Sequence, residues 1–121
     1  MKTVFKIRIY KDPQGNQPIK EYLTKLADKS DKDSRIKLEK IDYYLQALRE
    51  YGTRAGDPFV KHIDGDIWEL RPLRDRFFFF CWHGDSFILL HHFVKKTPKT
   101  PPKEIEQAKH NQKDFIERSS S

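Results

Sequence analysis

The stretch that most constrains the fold is Ile67–Lys99, an aromatic segment that contains four successive phenylalanines, Phe77–Phe80. Aromatic and aliphatic runs of this length favour strands over helices when Pro or Gly bounds them, as Pro72 and Gly84 do here. Four apolar residues in a row leave no polar face, so the strand that holds them is expected to be buried on both faces, in the middle of a sheet. The segment predicts three consecutive strands: Ile67–Arg71, Arg76–Trp82 and Phe87–Val94.

The N-terminal half of the chain predicts one strand and two helices. Apolar and polar residues alternate over Val4–Tyr10, which predicts a half-buried strand that can join the later sheet. Apolar residues at helical spacing then predict a helix that begins at Pro18. A second, longer helix is predicted to be capped by Asp31 or Ser30 and to end at Gly52. The two helices are expected to form a hairpin over one face of the sheet.

The remaining segments complete an α+β fold. Phe59–Ile63 is expected to be a short extended piece ahead of the sheet. A weakly apolar stripe predicts a C-terminal helix over Glu104–Arg118, which we expect few contacts to hold. Residues 1–121 are therefore expected to form one domain with a mainly antiparallel sheet. Its hairpin lies on one face, and the other face is predicted to be open and cationic.

The charge of the chain favours a polyanionic partner. The formal net charge is +6, and no acidic residue lies between Asp85 and Glu104, where four lysines occur. Such a one-sided distribution suits nucleic acid. A solvated, lysine-rich loop that leads into a helix explains the same charge run, and charge alone leaves the two explanations equal.

Cysteine usage and hydropathy indicate a cytoplasmic protein. Cys81 is the only cysteine, so a disulfide within the chain is excluded, and its place in the phenylalanine run predicts a buried thiol. The N-terminal segment MKTVFKIRIY is too short and too charged for a signal peptide. No apolar run reaches the roughly 18 residues that a membrane span requires, so no membrane partner is expected.

The motifs of several enzyme classes are absent from the sequence. It contains no glycine-rich phosphate loop, no GxSxG, no HExxH and no paired cysteines. His91 and His92 are adjacent on a predicted strand, so they point to opposite faces and cannot both bind one metal ion. We therefore expect neither a metal site nor another cofactor.

A cluster of cations with a histidine nearby remains as the candidate chemistry. Arginine forks and lysine ammonium groups bind phosphates, and they can stabilise the charge that builds up when a ribose 2′-hydroxyl attacks the adjacent phosphorus of RNA. A general base is also needed. A histidine, or a lysine whose pKa neighbouring cations lower, could serve.

Three pieces of sequence resemble one known family. They read IWELRP, then DRFFFFCW, then LLHHFVKKTPKTPPKEIEQAK. In this order they resemble the phage-derived, HigB-like branch of the RelE/ParE toxin superfamily, and the resemblance covers nearly the whole chain. It implies a RelE-like fold and a small basic toxin encoded beside a helix-turn-helix, HigA-like antitoxin that silences it. RelE-like members cleave mRNA on the ribosome, so mRNA and the ribosome are the implied targets.

The resemblance also implies roles for individual residues. Arg71 is the arginine of the ELR motif, and Arg76 matches the arginine that opens the central strand and contacts the scissile phosphate. Lys95 and Lys96 match the basic pair at the end of the last strand, and with Arg71 and Arg76 they are the candidate catalytic cations. Lys99 continues this basic motif as an RNA-binding candidate. Further candidates are Lys61 and Arg74 as RNA-binding cations, Phe93 as an aromatic that can stack on a base, and His92 as a general base.

Two features depart from the family pattern and leave alternatives open. Asp75 stands where an aromatic residue usually precedes the strand arginine, and His91-His92 replaces the commoner His-Gly. Arg71 can also form a structural ion pair with Glu69. The main alternative to an mRNA endonuclease is a ParE-like toxin that inhibits DNA gyrase by binding. A third possibility is a nucleic-acid-binding protein without activity.

Overall fold

The computed structural model describes residues 4–120, so positions 1–3 and 121 of the predicted domain lie outside the described residues. The strands are β1 (Lys6–Ile9), β2 (Val60–Asp64), β3 (Ile67–Leu70), β4 (Asp75–Trp82) and β5 (Ser86–Val94). The helices are α1 (Pro18–Asp28), α2 (Lys32–Tyr51) and α3 (Pro102–Ser119). A short 3-10 turn, Gly52–Ala55, follows α2.

The five strands form one sheet in the order β1-β5-β4-β3-β2. β1 pairs with β5 in parallel, and the other three pairs are antiparallel. β4 is the central strand, and none of the side chains of Phe77–Phe80 is more than 3% exposed. The α+β, mainly antiparallel fold predicted from the aromatic segment is therefore confirmed.

The hairpin of α1 and α2 covers one face of the sheet, as predicted. Asp31 caps α2 by accepting a hydrogen bond from the Ser34 backbone N–H at 2.9 Å. Gly52 ends the helix with φ of +62°, and a Cβ there would lie 3.0 Å from the Phe5 ring. The chain can therefore turn from α2 toward β2 at this point only without a side chain.

The other face of the sheet is not open, which corrects the prediction. α3 packs across it and buries Ala108 and Phe115 against a second apolar cluster that includes Phe78 and Phe80. Asn111 is also buried and donates to the Leu90 carbonyl at 2.8 Å. These three residues, about one on each turn of α3, therefore take the place of a fully apolar stripe. Toward the start of β4, the same face carries charged residues instead.

One smaller expectation is also wrong: Cys81 is exposed, near the end of β4. Lys37 of α2 is half-buried, and its ammonium lies 3.6 Å from the Asp75 carboxylate. Between residues 4 and 120, no helix has the length and apolar character that crossing a membrane requires.

Candidate functional site

The register of the sheet brings charged residues together on the face that α3 partly covers. Lys61 lies opposite Glu69, Glu69 lies opposite Phe78, and Arg76 lies opposite Phe93. Directly paired residues in neighbouring strands share a face. Lys61, Glu69 and Arg76 therefore point to the same side as Phe78, whose ring packs in the α3 cluster.

Four cations, which we call the cationic cluster, surround the Glu69 carboxylate. They come from β2, the end of β3, β4 and the end of β5, and they are Lys61, Arg71, Arg76 and Lys95. Glu69 Oε1 lies 3.4 Å from Arg71 Nε and 3.7 Å from Arg76 Nε. The structural pair between Arg71 and Glu69 is confirmed, and it lies inside the predicted site.

Arg76 is the most deeply held member of the cluster. It is only 8% exposed, and its Nη1 donates to the Leu73 carbonyl at 2.8 Å and to the Asp75 carbonyl at 3.0 Å. Leu73 adopts a positive φ of 54°, which turns its carbonyl within reach of the guanidinium. The arginine thus fixes the loop between β3 and β4.

Burial and charge oppose each other at Glu69. The side chain is 1% exposed, and this desolvation raises the pKa of the Glu69 carboxyl, although all four neighbouring cations act to lower it. Its second oxygen, Oε2, is buried and has no hydrogen-bond partner among the described residues. The cations therefore lie near the carboxylate but leave one of its oxygens without a hydrogen bond.

Three further predicted cations form an exposed rim next to the cluster. Arg74 lies in the loop before β4, and Lys96 and Lys99 follow β5. The two segments are joined, because the Lys95 backbone N–H donates to the Arg74 carbonyl at 2.8 Å. The rim extends the positive surface from the cluster into solvent.

His92 lies on the opposite face of the sheet from the cationic cluster. It pairs with Phe77, stacks on Tyr22 of α1 with the ring centres 4.0 Å apart, and its Nε2 lies 2.7 Å from Asp75 Oδ1. Its neighbour His91 faces α3, where its Nε2 lies 3.1 Å from Glu104. The histidine predicted as a base is thus separated from Arg71 and Arg76 by the sheet.

Asp75 connects the residues of that opposite face. Its buried carboxylate also accepts from the Tyr22 hydroxyl at 2.6 Å and pairs with Lys37. These partners outweigh desolvation and lower the pKa of Asp75, while burial and the carboxylate raise that of Tyr22. Sequence reasoning noted Asp75 only as a departure from a pattern. The signal that could have found the network was an acidic residue inside a buried strand.

Phe93 belongs to the core and is poorly placed to stack on a base. It is 9% exposed, and its ring centre lies 5.4 Å from that of Phe78. Burial against Phe78 and α3 leaves little of either ring face free. Phe93 is nevertheless paired with Arg76 across β4 and β5, so its ring is an apolar neighbour of the cationic cluster.

The described part of the chain, residues 4–120, contains no group of three histidine, cysteine or acidic side chains placed to hold a metal ion. A comparison with family models matches residues 21–113 to the family described as "Phage derived protein Gp49-like (DUF891)". This match includes every residue of the cationic cluster and its rim. No curated protein sequence matches the chain.

Proposed function

The chain belongs to the Gp49-like family of phage-derived, RelE/ParE-like toxins, and from this we propose that it is the toxin of a type II toxin–antitoxin pair that cleaves mRNA. The proposed reaction needs no metal and takes place on the ribosome, where the cut stops translation. The observation that carries the proposal is the cationic cluster. It gathers two guanidinium and two ammonium groups from four strand segments at one end of the sheet.

The chemistry of the cluster suits phosphodiester cleavage by an internal nucleophile. The ribose 2′-oxygen forms a bond to the adjacent phosphorus, and the bond from phosphorus to the 5′-oxygen breaks. The products are a 2′,3′-cyclic phosphate and a 5′-hydroxyl. Negative charge grows on the phosphorane and on the leaving oxygen, so cations held in place before the reaction lower the barrier. Arg71 and Arg76 have this role in the proposal.

Lys61 and Lys95 are our candidates for the two proton transfers. One, as a neutral amine, must accept the proton of the 2′-hydroxyl, and the other, as an ammonium, must donate a proton to the 5′-oxygen. His92 is not included in this proposal, because its ring is bound to Asp75 on the other face. Lys61 is exposed and Lys95 half-buried, so both amino groups lie on the solvent side of the cluster, where a substrate can reach them.

The proposed partners follow from the same surface. The phosphates of mRNA fit the cationic cluster, and the exposed rim of Arg74, Lys96 and Lys99 suits the negatively charged ribosome. From the family membership we also propose a helix-turn-helix, HigA-like antitoxin as the silencing partner.

The proposal is tested by inducing the protein in a bacterium and mapping the 5′ ends of cellular mRNA within minutes. We expect new cuts inside translated codons, and we expect Arg71→Lys and Arg76→Lys to remove them. Arg35→Lys is the matched control, because Arg35 is an exposed arginine of α2. It should cut like the wild type.

The other outcomes are equally informative. Growth arrest with intact mRNA and a DNA-damage response would favour inhibition of gyrase and overturn the nuclease proposal. Salt-sensitive RNA binding without any cut or growth arrest would favour a binding protein without activity. Cuts that persist in both lysine variants would show that the catalytic groups lie outside the cationic cluster.

A further inference from the structure

The Glu69 carboxylate is an unexpected group in a site that must attract phosphate. It is 1% exposed, it lies in the middle of four cations, and its negative charge opposes the binding of another anion. A site built only for affinity would carry a neutral residue here. The carboxylate must therefore contribute something other than attraction for RNA.

The geometry shows what it contributes. A single oxygen, Oε1, lies beside the Nε atoms of both Arg71 and Arg76, at 3.4 Å and 3.7 Å. Both contacts are ion pairs and not hydrogen bonds, and Arg76 Nη1 donates separately to two backbone carbonyls. One carboxylate oxygen therefore attracts both guanidinium groups from their Nε side. Without the carboxylate, the repulsion between Arg71 and the buried Arg76 is opposed only by the smaller effects of Asp75 and Tyr44.

We propose that Glu69 is a positioning residue that orients the Arg71 and Arg76 guanidiniums toward the phosphate, at a cost in affinity for RNA. The inference rests on the proposed nuclease function and deepens it. The inference predicts opposite effects on RNA binding and on cleavage, whereas loss of a purely structural glutamate would weaken both. Removal of the charge should strengthen RNA binding and weaken catalysis, because the net positive charge rises while the two arginines lose their common anchor.

The test variant is Glu69→Gln, which keeps the size of the side chain and removes its charge. Glu106→Gln is the matched control, because Glu106 is an exposed glutamate of α3 and the substitution makes the same change in net charge. Binding is measured with a 2′-O-methyl RNA oligonucleotide, which cannot be cleaved. Cleavage is measured in single turnovers on ribosomes that carry a defined mRNA.

We expect Glu69→Gln to bind the oligonucleotide about threefold to tenfold more tightly than the wild type, since a like charge within the site is gone. We expect its cleavage rate to fall about 10- to 100-fold, the scale of a small misplacement of reacting groups. Glu106→Gln should match the wild type in both measurements. Weaker binding that falls in step with cleavage, or wild-type behaviour in both, would overturn the positioning role.

A second measurement does not depend on cleavage. An arginine side chain held by an ion pair moves less than a free one, and the NMR relaxation of its Nε reports this motion. Arg71 and Arg76 should be more ordered than Arg35 in the wild type and should become more mobile in Glu69→Gln, while Arg35 stays unchanged. Arg71 and Arg76 side chains as mobile as Arg35 in the wild type would overturn the inference. If the wild type orders its arginines in this way but cuts no RNA, only the proposed nuclease function fails.

Discussion

Two buried carboxylates lie near the same end of the sheet on opposite faces, and their surroundings differ. Each has one oxygen without a hydrogen-bond partner among the described residues. Asp75 Oδ1, however, is met by short contacts, with the Tyr22 hydroxyl at 2.6 Å and His92 Nε2 at 2.7 Å. Glu69 has more cations around it but none closer than Arg71 Nε at 3.4 Å. The pKa of Asp75 is lowered and that of Glu69 is raised.

The difference shows that nearby charge and satisfied charge are not equivalent. Short hydrogen bonds stabilise the ionised form of Asp75 enough to offset desolvation, so this group ties α1, α2, β4 and β5 together. The contacts of Glu69 are too long to do so. Its cations thus retain the capacity to bind an external anion. We interpret the Asp75 side as structural and the Glu69 side as functional.

The largest expected effect is on cleavage by Arg76→Lys. Lysine keeps the charge but cannot form the planar fork that meets the backbone carbonyls and the phosphate together. We expect a loss of about 10²–10³-fold in single-turnover rate, the usual scale for one lost transition-state donor. Because Arg76 is 8% exposed and holds the β3–β4 loop, Arg76→Ala should also unfold more easily. The lysine variant is therefore the cleaner test.

A loss of cleavage by Arg76→Lys distinguishes the two faces of the sheet only if the variant still folds. Thermal unfolding of Arg76→Lys should stay close to that of the wild type, with Arg35→Lys as the control. A fall in melting temperature as large as that of Asp75→Asn would mean that Arg76 is mainly structural, and the assignment of the two faces would fail.

The next effect is on stability, by Asp75→Asn. The amide keeps one acceptor oxygen but loses the negative charge that strengthens the bonds to the Tyr22 hydroxyl and the His92 ring and that pairs with the Lys37 ammonium. We expect a loss of about 2–3 kcal/mol in the free energy of unfolding. Denaturant titration measures it, and Asp42→Asn, at an exposed position of α2, is the control. A well-folded variant whose cleavage rate fell a hundredfold would place Asp75 and His92 in the chemistry and break the comparison.

A smaller effect is the pH dependence of stability, which should have opposite sign for the two carboxylates. The folded pKa of Asp75 lies below its ordinary value of 3.8, so its contribution is present above that pH and is lost as the pH falls toward the folded pKa. The folded pKa of Glu69 lies above its ordinary value of 4.5, so its contribution is present below that pH and is lost as the pH rises through the folded pKa.

Denaturant titrations from pH 3 to pH 8 test these signs. Asp75→Asn should flatten the rise in stability at the acidic end. Glu69→Gln should lose less stability than the wild type as the pH rises above about 4.5, because no buried charge forms. If Asp75→Asn and Glu69→Gln changed the pH dependence of stability in the same way, the contrast between the two carboxylates would lose its physical basis.

The sequence predicted the fold better than the site, for a physical reason. Strand and helix positions follow from local patterns, and Phe77–Phe80, Asp31 and Gly52 each lie where their residue types require. The cation at Arg76 was also found, through a motif. The face on which His92 lies was not, because it depends on the register of β4 and β5 and on the irregularity between Phe78 and Phe79.

The α3 layer shows the same limit. The stripe of Glu104–Arg118 contains few apolar residues, so its helix was expected to be weakly held. In the structure, Asn111 compensates by bonding to a strand carbonyl, and such a long-range hydrogen bond leaves no periodic signal. The open cationic face was therefore predicted over the whole sheet, although cations occupy only one end of it.

The smallest expected effect concerns the exposed rim and tests where the functional surface ends. Lys96 is exposed and follows β5, so we expect its ammonium to contribute to the proposed RNA binding through long-range charge alone. Lys96→Gln should weaken binding of a 2′-O-methyl RNA by about twofold to fivefold at low salt and lower the salt slope by about one, with no change in single-turnover rate. Lys113→Gln, an exposed position of α3, is the control. A cleavage rate that fell with Lys96→Gln as far as with Arg76→Lys would extend the catalytic set beyond the residues around Glu69. The distinction between cluster and rim would then be lost, while the contrast between the two faces of the sheet would remain.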